Sequence, residues 1–376
     1  MPAGSATVKV RRSPHVIFYW RDNTLRVHNY ATSDVALATP LVCSVLDYCS
    51  TWRTASQLQR AIGGSPASIK RLVTGLLRRH LLHRSDRLAD SREQAMIQFR
   101  RWNPTAGFFH TATKQVRFIP RREAELVMRR QAKTWPMPRT VKRLRSAATV
   151  RLPRPVLEGE FPGVLLARRT WRRFAATDVS AARMSVALAL TAGIQQWVQS
   201  DLGDLPLKTS PSGGARHPIE CYVCVRRVTG VRPGLYHYAA DVHALEKIRG
   251  GDLTARLRIW MPHSGYFARA AFVVVFTAVF ERQLWRYPYA RAYRAALAEA
   301  GHVCQTFCLT ATWLGLAPFC LMGLADDEIE RDLGIDGIAE SVLYVAGAGM
   351  RPRGVVWAPT TRGSLKARPN PAFRRR

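Results

Sequence analysis

The feature that most constrains this chain is an apolar stripe between Ala298 and Leu314. Ala300, Val303, Cys304, Phe307, Cys308, Ala311 and Leu314 recur at intervals of three and four, the spacing that lines one face of an α-helix. A helix with so continuous an apolar face has to be covered. Gly315 ends it and Pro318 keeps it from resuming, because glycine takes the left-handed cap and proline has no N–H to donate. The longest apolar run, Ala270–Phe280, falls far short of the ~20 residues that span a bilayer, so no membrane span is expected, and Ala271–Phe280 reads as a strand candidate. Ile219–Val228, Gly234–Tyr238 and Ser341–Ala346 are further strand candidates, and Ala181–Val198 reads as a second amphipathic helix. Helices and strands mix without a regular βαβ repeat, which makes the fold class α+β. A length of 376 residues exceeds one ordinary core and predicts about two domains.

The smaller domain is expected over residues 1–88. His15–Trp20 and Leu25–Tyr30 flank Asp22-Asn23 and predict a hairpin. Three short helices follow: one carrying Leu41, Val42, Val45, Leu46 and Cys49, one over ASQLQRAI after Thr54, and one starting at Ser65-Pro66. LLHRSDRL reads as a strand and turn, so the pattern is that of a small winged-helix domain. Residues 89–155 read as a connector, basic and Pro-rich in its second part, and residues 359–376 as a basic, disordered tail. Residues 156–358 form the larger domain.

Basic residues outnumber acidic ones 57 to 26, a net charge of +31, and the first 150 residues hold 27 against 8. Such a field favours anionic partners. Seven cysteines show no dense, regular spacing of a secreted disulfide framework, and the N-terminus has no apolar signal region. A reducing cytoplasmic location is expected. Cys221-x-x-Cys224 has no second pair and sits in a strand pattern, Cys304 and Cys308 lie on the helical stripe, and no metal site is expected.

Two segments carry chemistry. Arg168-Arg169-Thr170-Trp171-Arg172-Arg173-Phe174 places four guanidiniums and a hydroxyl just ahead of a helix, and arginine pairs bidentately with phosphate. Ser210-Pro211-Ser212-Gly213-Gly214-Ala215-Arg216-His217-Pro218 is a turn whose glycines let backbone approach a ligand. His217, His237 and His302 read as turn, packing or surface residues, and Glu299 as helix surface.

Taken in order, RRTWRRF, SPSGGARHPIECYV, GLYHY, EAGHVCQTFCLTATWLGLAP and the closing YVAGAG resemble the nitroreductase superfamily. More narrowly, they resemble its SagB-type thiazole/oxazole dehydrogenases of modified-peptide pathways. WNPTAGFFHTATKQVRF resembles the stretch preceding that domain. The resemblance implies a central, mostly antiparallel sheet flanked by helices, and FMN bound at a homodimer interface. Arg168, Arg169, Thr170 and Arg172 would hold its phosphate and ribityl chain, with Arg351 as a further phosphate candidate. Pro211, Ser212, Gly213, Gly214 and Arg216 would reach the flavin from the partner chain. Backbone around Leu321, Met322 and Gly323 would face the flavin N5 edge. Where azoline oxidases of the family carry Lys-Tyr, this chain reads Arg286-Tyr287. Arginine stays protonated, which leaves Tyr287 as the catalytic base candidate.

The resemblance also implies that the N-terminal module is a PqqD-like peptide-recognition element. It would capture a precursor peptide by strand addition, alongside a cyclodehydratase partner. Lys70, Arg71, Arg78 and Arg79 on its third helix also suit a nucleic-acid groove, the less favoured partner. The expected function is therefore an FMN-dependent oxidoreductase that oxidises peptide azolines to azoles. Two alternatives stand beside it: an NAD(P)H-dependent nitroreductase-like reductase, and a nucleic-acid-binding redox regulator.

Overall fold

The computed structural model describes residues 7–96, 103–114, 119–134, 153, 157–200 and 203–354. The chain forms two compact units. One comprises Met1–Gln115, Val279–Ala295 and Gly334–Ser341, and the other Val116–Ala278, Ala296–Leu333 and Val342–Arg376.

In the first unit, β1 (Lys9–Arg12) is followed by β2 (Val16–Arg21), β3 (Thr24–Asn29) and β4 (Asp34–Leu37). The expected hairpin is β2–β3, paired Val16 with Asn29 through Arg21 with Thr24. Its loop is left-handed at both Asp22 and Asn23, with φ of 49° and 57°, the twist that matches paired strands. Then come α1 (Pro40–Tyr48), β5 (Arg53–Thr54), α2 (Ala55–Ile62), α3 (Pro66–Arg78) and β6 (Leu82–Arg84). The second and third helices start at the expected caps, Thr54 and Ser65, and α1 starts at Thr39; each of the three accepts a backbone N–H. The strand after α3 does not open a hairpin of its own. β6 pairs antiparallel with β1, which also pairs with β5, so the N-terminal strand is the middle one of the sheet. That pairing joins residues some seventy apart and leaves no local sequence mark.

The region read as a connector begins with ordered helices, α4 (Ser91–Ala95) and α5 (Pro104–Lys114), and continues with α6 (Arg121–Thr134). The helix formers of REAELVMRRQAKT outweigh their charge, and α6 contains no proline. His110 of α5 is 1% exposed. Its Nε2–H donates to the Gly337 carbonyl and its Nδ1 accepts from Tyr293, both at 2.8 Å. Burial and nearby Lys114 lower its pKa to about 4. The expected tail 359–376 lies outside the described residues.

The second unit opens with α7 (Glu160–Ala167), β7 (Val179–Ser180), α8 (Ala181–Ala192), β8 (Ile194–Val198) and β9 (Leu205–Lys208). The expected helix over Ala181–Val198 stops at Ala192. β-branched Ile194 and Val198 then pair as a strand with β9. There follow β10 (Ile219–Val225), β11 (Val228–Thr229), β12 (Gly234–Ala239), β13 (Ala244–Gly250), α9 (Thr254–Trp260), β14 (Phe272–Val279), α10 (Phe280–Arg286, in the first unit), α11 (Ala292–Trp313), β15 (Leu316–Leu321), α12 (Asp326–Leu333) and β16 (Glu340–Met350).

The main sheet runs β13-β12-β10-β14-β16-β15. The β13–β12, β12–β10, β10–β14 and β16–β15 pairs are antiparallel. β14, the expected strand, lies near its centre with Phe272 to Phe276 fully buried. Phe307 of α11 meets the Phe272 and Phe276 rings edge-on at 6.0 and 6.4 Å. β15 carries Pro318, which sequence reading took only as a helix stop. The strand accommodates proline because it is a sheet edge. No described helix is long and apolar enough to cross a membrane.

His237 of β12 sits between Glu246 Oε2 at 2.8 Å and Glu220 Oε2 at 3.2 Å. The Glu220 bond, then Glu246, raises its pKa to about 9 despite partial burial. A histidine raised in the folded state stabilises fully below its unfolded value near 6.5, and that contribution is lost as pH rises to about 9. Partial exposure screens the pair, so ~1–2 kcal/mol is expected. Denaturant unfolding between pH 6.5 and 9 should show wild type losing this amount relative to His237→Asn. Parallel pH profiles would contradict it.

Candidate functional site

The arginine segment lies as an extended strap along the edge of the main sheet in the second unit. Trp171 N–H donates to the Pro318 carbonyl and Ala175 N–H to the Met350 carbonyl, both at 2.9 Å. Phe174 anchors it, packing on Phe319 with ring centroids 6.0 Å apart. It fills the space beside Gly349, where a Cβ would lie 2.9 Å from the Phe174 ring. Arg227 adds bonds to the Ala175 carbonyl at 2.9 Å and to the Ala176 carbonyl.

The guanidiniums of this segment are not equivalent. Arg169 folds back on the end of α7, with Nη1 donating to the Leu166 and Arg168 carbonyls at 2.7 Å. Arg168 and Thr170 are half-buried and Arg173 is exposed. Arg172 carries a buried Nε without a hydrogen-bond partner. A buried donor left unpaired costs about 1–3 kcal/mol, and an anionic oxygen is the acceptor a guanidinium fits best. Arg351, past β16, is already engaged: Nε donates to Leu316 O and Nη2 to Thr312 O at 2.8 Å. It closes the end of α11 and lies 5.8 Å from the Trp171 ring centre.

The Gly-Gly turn is a short 3₁₀ segment, Gly213–Ala215. Gly214, Ala215 and His217 are left-handed, with φ of 62°, 51° and 42°. Two non-glycine residues in that region store strain. Ser212 Oγ accepts from His217 N–H at 2.8 Å, and Ser210 bonds Thr306 of α11 at 2.8 Å. Pro211, Gly213 and Gly214 remain exposed. Behind the turn, Glu299 is 4% exposed, not on the helix surface as expected, and pairs with buried His217 at 3.9 Å. Its place beside Ala300 on the stripe gave no sign of this. Met322 is exposed just past β15, followed by Gly323. Cys221 and Cys224 are buried strand residues, and burial raises both thiols to about 12.

In the first unit, Tyr287 is half-buried at the end of α10, with Arg286 exposed. Its N–H donates to Gln283 O at 2.8 Å, and its ring lies 6.0 Å from Tyr289. The same unit holds a groove of about 520 Å³ between the edge strand β4 and α3, lined by Arg26, Leu37, Arg71, Leu72 and Arg79. Leu37 is 56% exposed, and Arg26 has a buried Nε without a hydrogen-bond partner. Of the four basic residues singled out on α3, Arg71 and Arg79 line this groove.

The Nitroreductase family model matches residues 165–350. A nitroreductase-type protein of Methanocaldococcus jannaschii is 31% identical over 172 residues, covering 46% of this chain and 83% of that one. The trifolitoxin-processing protein TfxB of Rhizobium leguminosarum bv. trifolii is 33% identical over 142 residues, and the microcin B17-processing protein McbC of Escherichia coli 31% over 151. Each covers 36% of this chain, which spans only 38% of TfxB and 51% of McbC. The solved E. coli microcin synthetase McbBCD complex aligns at 21% identity with a TM-score of 0.45, covering 63% of this chain and 84% of that one.

Gly349→Val should push Phe174 out and loosen the strap. Overpacking predicts a loss of ~1–3 kcal/mol, with faster tryptic cleavage between Arg168 and Arg173. Unchanged cleavage would show that Phe174 does not hold the strap.

Proposed function

Because the chain belongs to the nitroreductase family, we propose that it is an FMN-dependent dehydrogenase that oxidises azoline rings on a precursor peptide to azoles. The observation that carries the reading is Arg172, whose buried Nε lacks an acceptor in a strap free of acidic residues. A phosphate fits that donor set. When bound, FMN supplies the two-electron acceptor that the side chains lack. Arg172 and Arg168 would hold the phosphate, Thr170 would add a hydroxyl, and Arg169 shapes the strap from the end of α7. Arg351 supports the strap through Trp171 and the end of α11. The exposed Pro211–Gly214 turn and Arg216 complete the pocket of a second copy in a homodimer. Backbone N–H groups near Met322 and Gly323 would stabilise the charge that the flavin ring gains.

Azoline oxidation also removes a proton from carbon, and Tyr287 takes it. The groove beside β4 receives an acidic segment of the precursor. Its backbone pairs with the free edge of β4, and Arg26, Arg71 and Arg79 supply the charge. The peptide-processing names of TfxB and McbC support this substrate class.

Purified protein should be yellow. Arg172→Ala should weaken FMN binding roughly 10- to 100-fold, the worth of one charge-assisted bond, whereas Arg173→Ala, which removes the same charge from an exposed position, should not. Equal flavin retention by both variants after dialysis would reject the clamp.

Tyr287→Phe should keep FMN yet lose roughly 10²–10⁴ in single-turnover flavin reduction by an azoline peptide. An unchanged rate would remove Tyr287 from the chemistry and favour a nicotinamide-fed reductase, which needs no such base.

Arg71→Glu with Arg79→Glu should weaken binding of an acidic peptide at least tenfold in fluorescence anisotropy and flatten its salt dependence, with flavin content unchanged. Tight binding by this variant would place the peptide elsewhere.

A further inference from the structure

Three of the seven cysteines converge in the second unit, beside the strand on which the strap lies. Cys304 and Cys308 stand one helical turn apart on the buried face of α11, 3% and 1% exposed. Gly315, left-handed at φ 72°, reverses the chain into β15, which brings half-buried Cys320 against them. The three sulfur atoms all lie within 4.8 Å of one another, and among the described residues no histidine, aspartate or glutamate ligand atom belongs to the group.

We infer that Cys304, Cys308 and Cys320 form a binding site for a zinc ion. Zn–S bonds of about 2.3 Å place tetrahedral ligand sulfurs about 3.8 Å apart, so the site closes with a shift of about 1 Å or less. Thiolates in an apolar setting select soft or borderline cations over magnesium and calcium. Two donors come from consecutive turns of one rigid helix and the third from a strand pinned to β16, so the trio is held before any ion arrives. Tyr344 of β16 directs its hydroxyl at Cys320 Sγ, 4.0 Å away.

Charge favours a divalent ion over monovalent copper. Three thiolates and Zn²⁺ leave one negative charge, and the field of Arg168 already reaches Cys308 and Cys320. A monovalent ion would leave two. As zinc binds, each thiol gives up its proton to solvent, and no oxidant or reductant is needed.

Cobalt is the probe, because its thiolate complexes absorb and zinc's do not. The reduced, chelator-treated full chain should take up one equivalent of Co²⁺ with thiolate-to-metal charge-transfer absorption, and Zn²⁺ should bleach it. Cys320→Ser should weaken binding at least tenfold, whereas Cys43→Ser, at a half-buried thiol of the first unit, should change nothing. If Cys320→Ser proves unfolded by circular dichroism, alkylation of the wild type decides: zinc should protect residues 304, 308 and 320 and not Cys43. Absence of thiolate–cobalt absorption at millimolar Co²⁺, a signal retained in folded Cys320→Ser, or equal alkylation of these thiols with and without zinc would each overturn the site.

Discussion

The packing of α11 on the main sheet is the constraint on which the second unit depends. Phe307 touches Phe272 and Phe276 of β14, and burying such rings contributes about 1.5–3 kcal/mol each. Every candidate feature of this unit is referenced to that contact. Thr306, one residue before Phe307, holds Ser210 at the base of the strained turn. Glu299 meets His217 two turns earlier. Thr312, near the helix end, takes the Arg351 guanidinium, and Gly315 sends the chain back as the strand on which the strap lies. A rotation of α11 about its axis would move all four at once, which explains the unbroken apolar stripe.

The large positive charge resolves into two kinds of arginine. Arg169, Arg227 and Arg351 direct their donors at backbone carbonyls and act as struts for helix ends and the strap. Arg172 has a buried donor left over, and Arg26 has another in the groove of the first unit. Net charge therefore says little about binding by itself, since a guanidinium committed to carbonyls offers few donors to a ligand. The unpartnered donors in each unit carry the functional reading.

Sequence alone determined the elements that depend on near neighbours in the chain. Helix caps at Thr54 and Ser65, the Asp22-Asn23 turn, the long apolar-striped helix and strand β14 are written in local period and local hydrogen bonding. The order of the arginine strap, the Gly-Gly turn and the closing strand was legible too, because each motif is contiguous. Tertiary structure decided what depends on residues far apart. It paired β1 with β6, put Pro318 into an edge strand, buried Glu299, committed Arg351 to the end of α11 and left Arg172 without an acceptor. It also set Cys320 beside Cys304 and Cys308, when sequence had assigned the helix pair to the core alone. The reason is physical. A side chain's partners and burial depend on which surfaces meet, and that is fixed by packing among distant segments, to which local periodicity is blind.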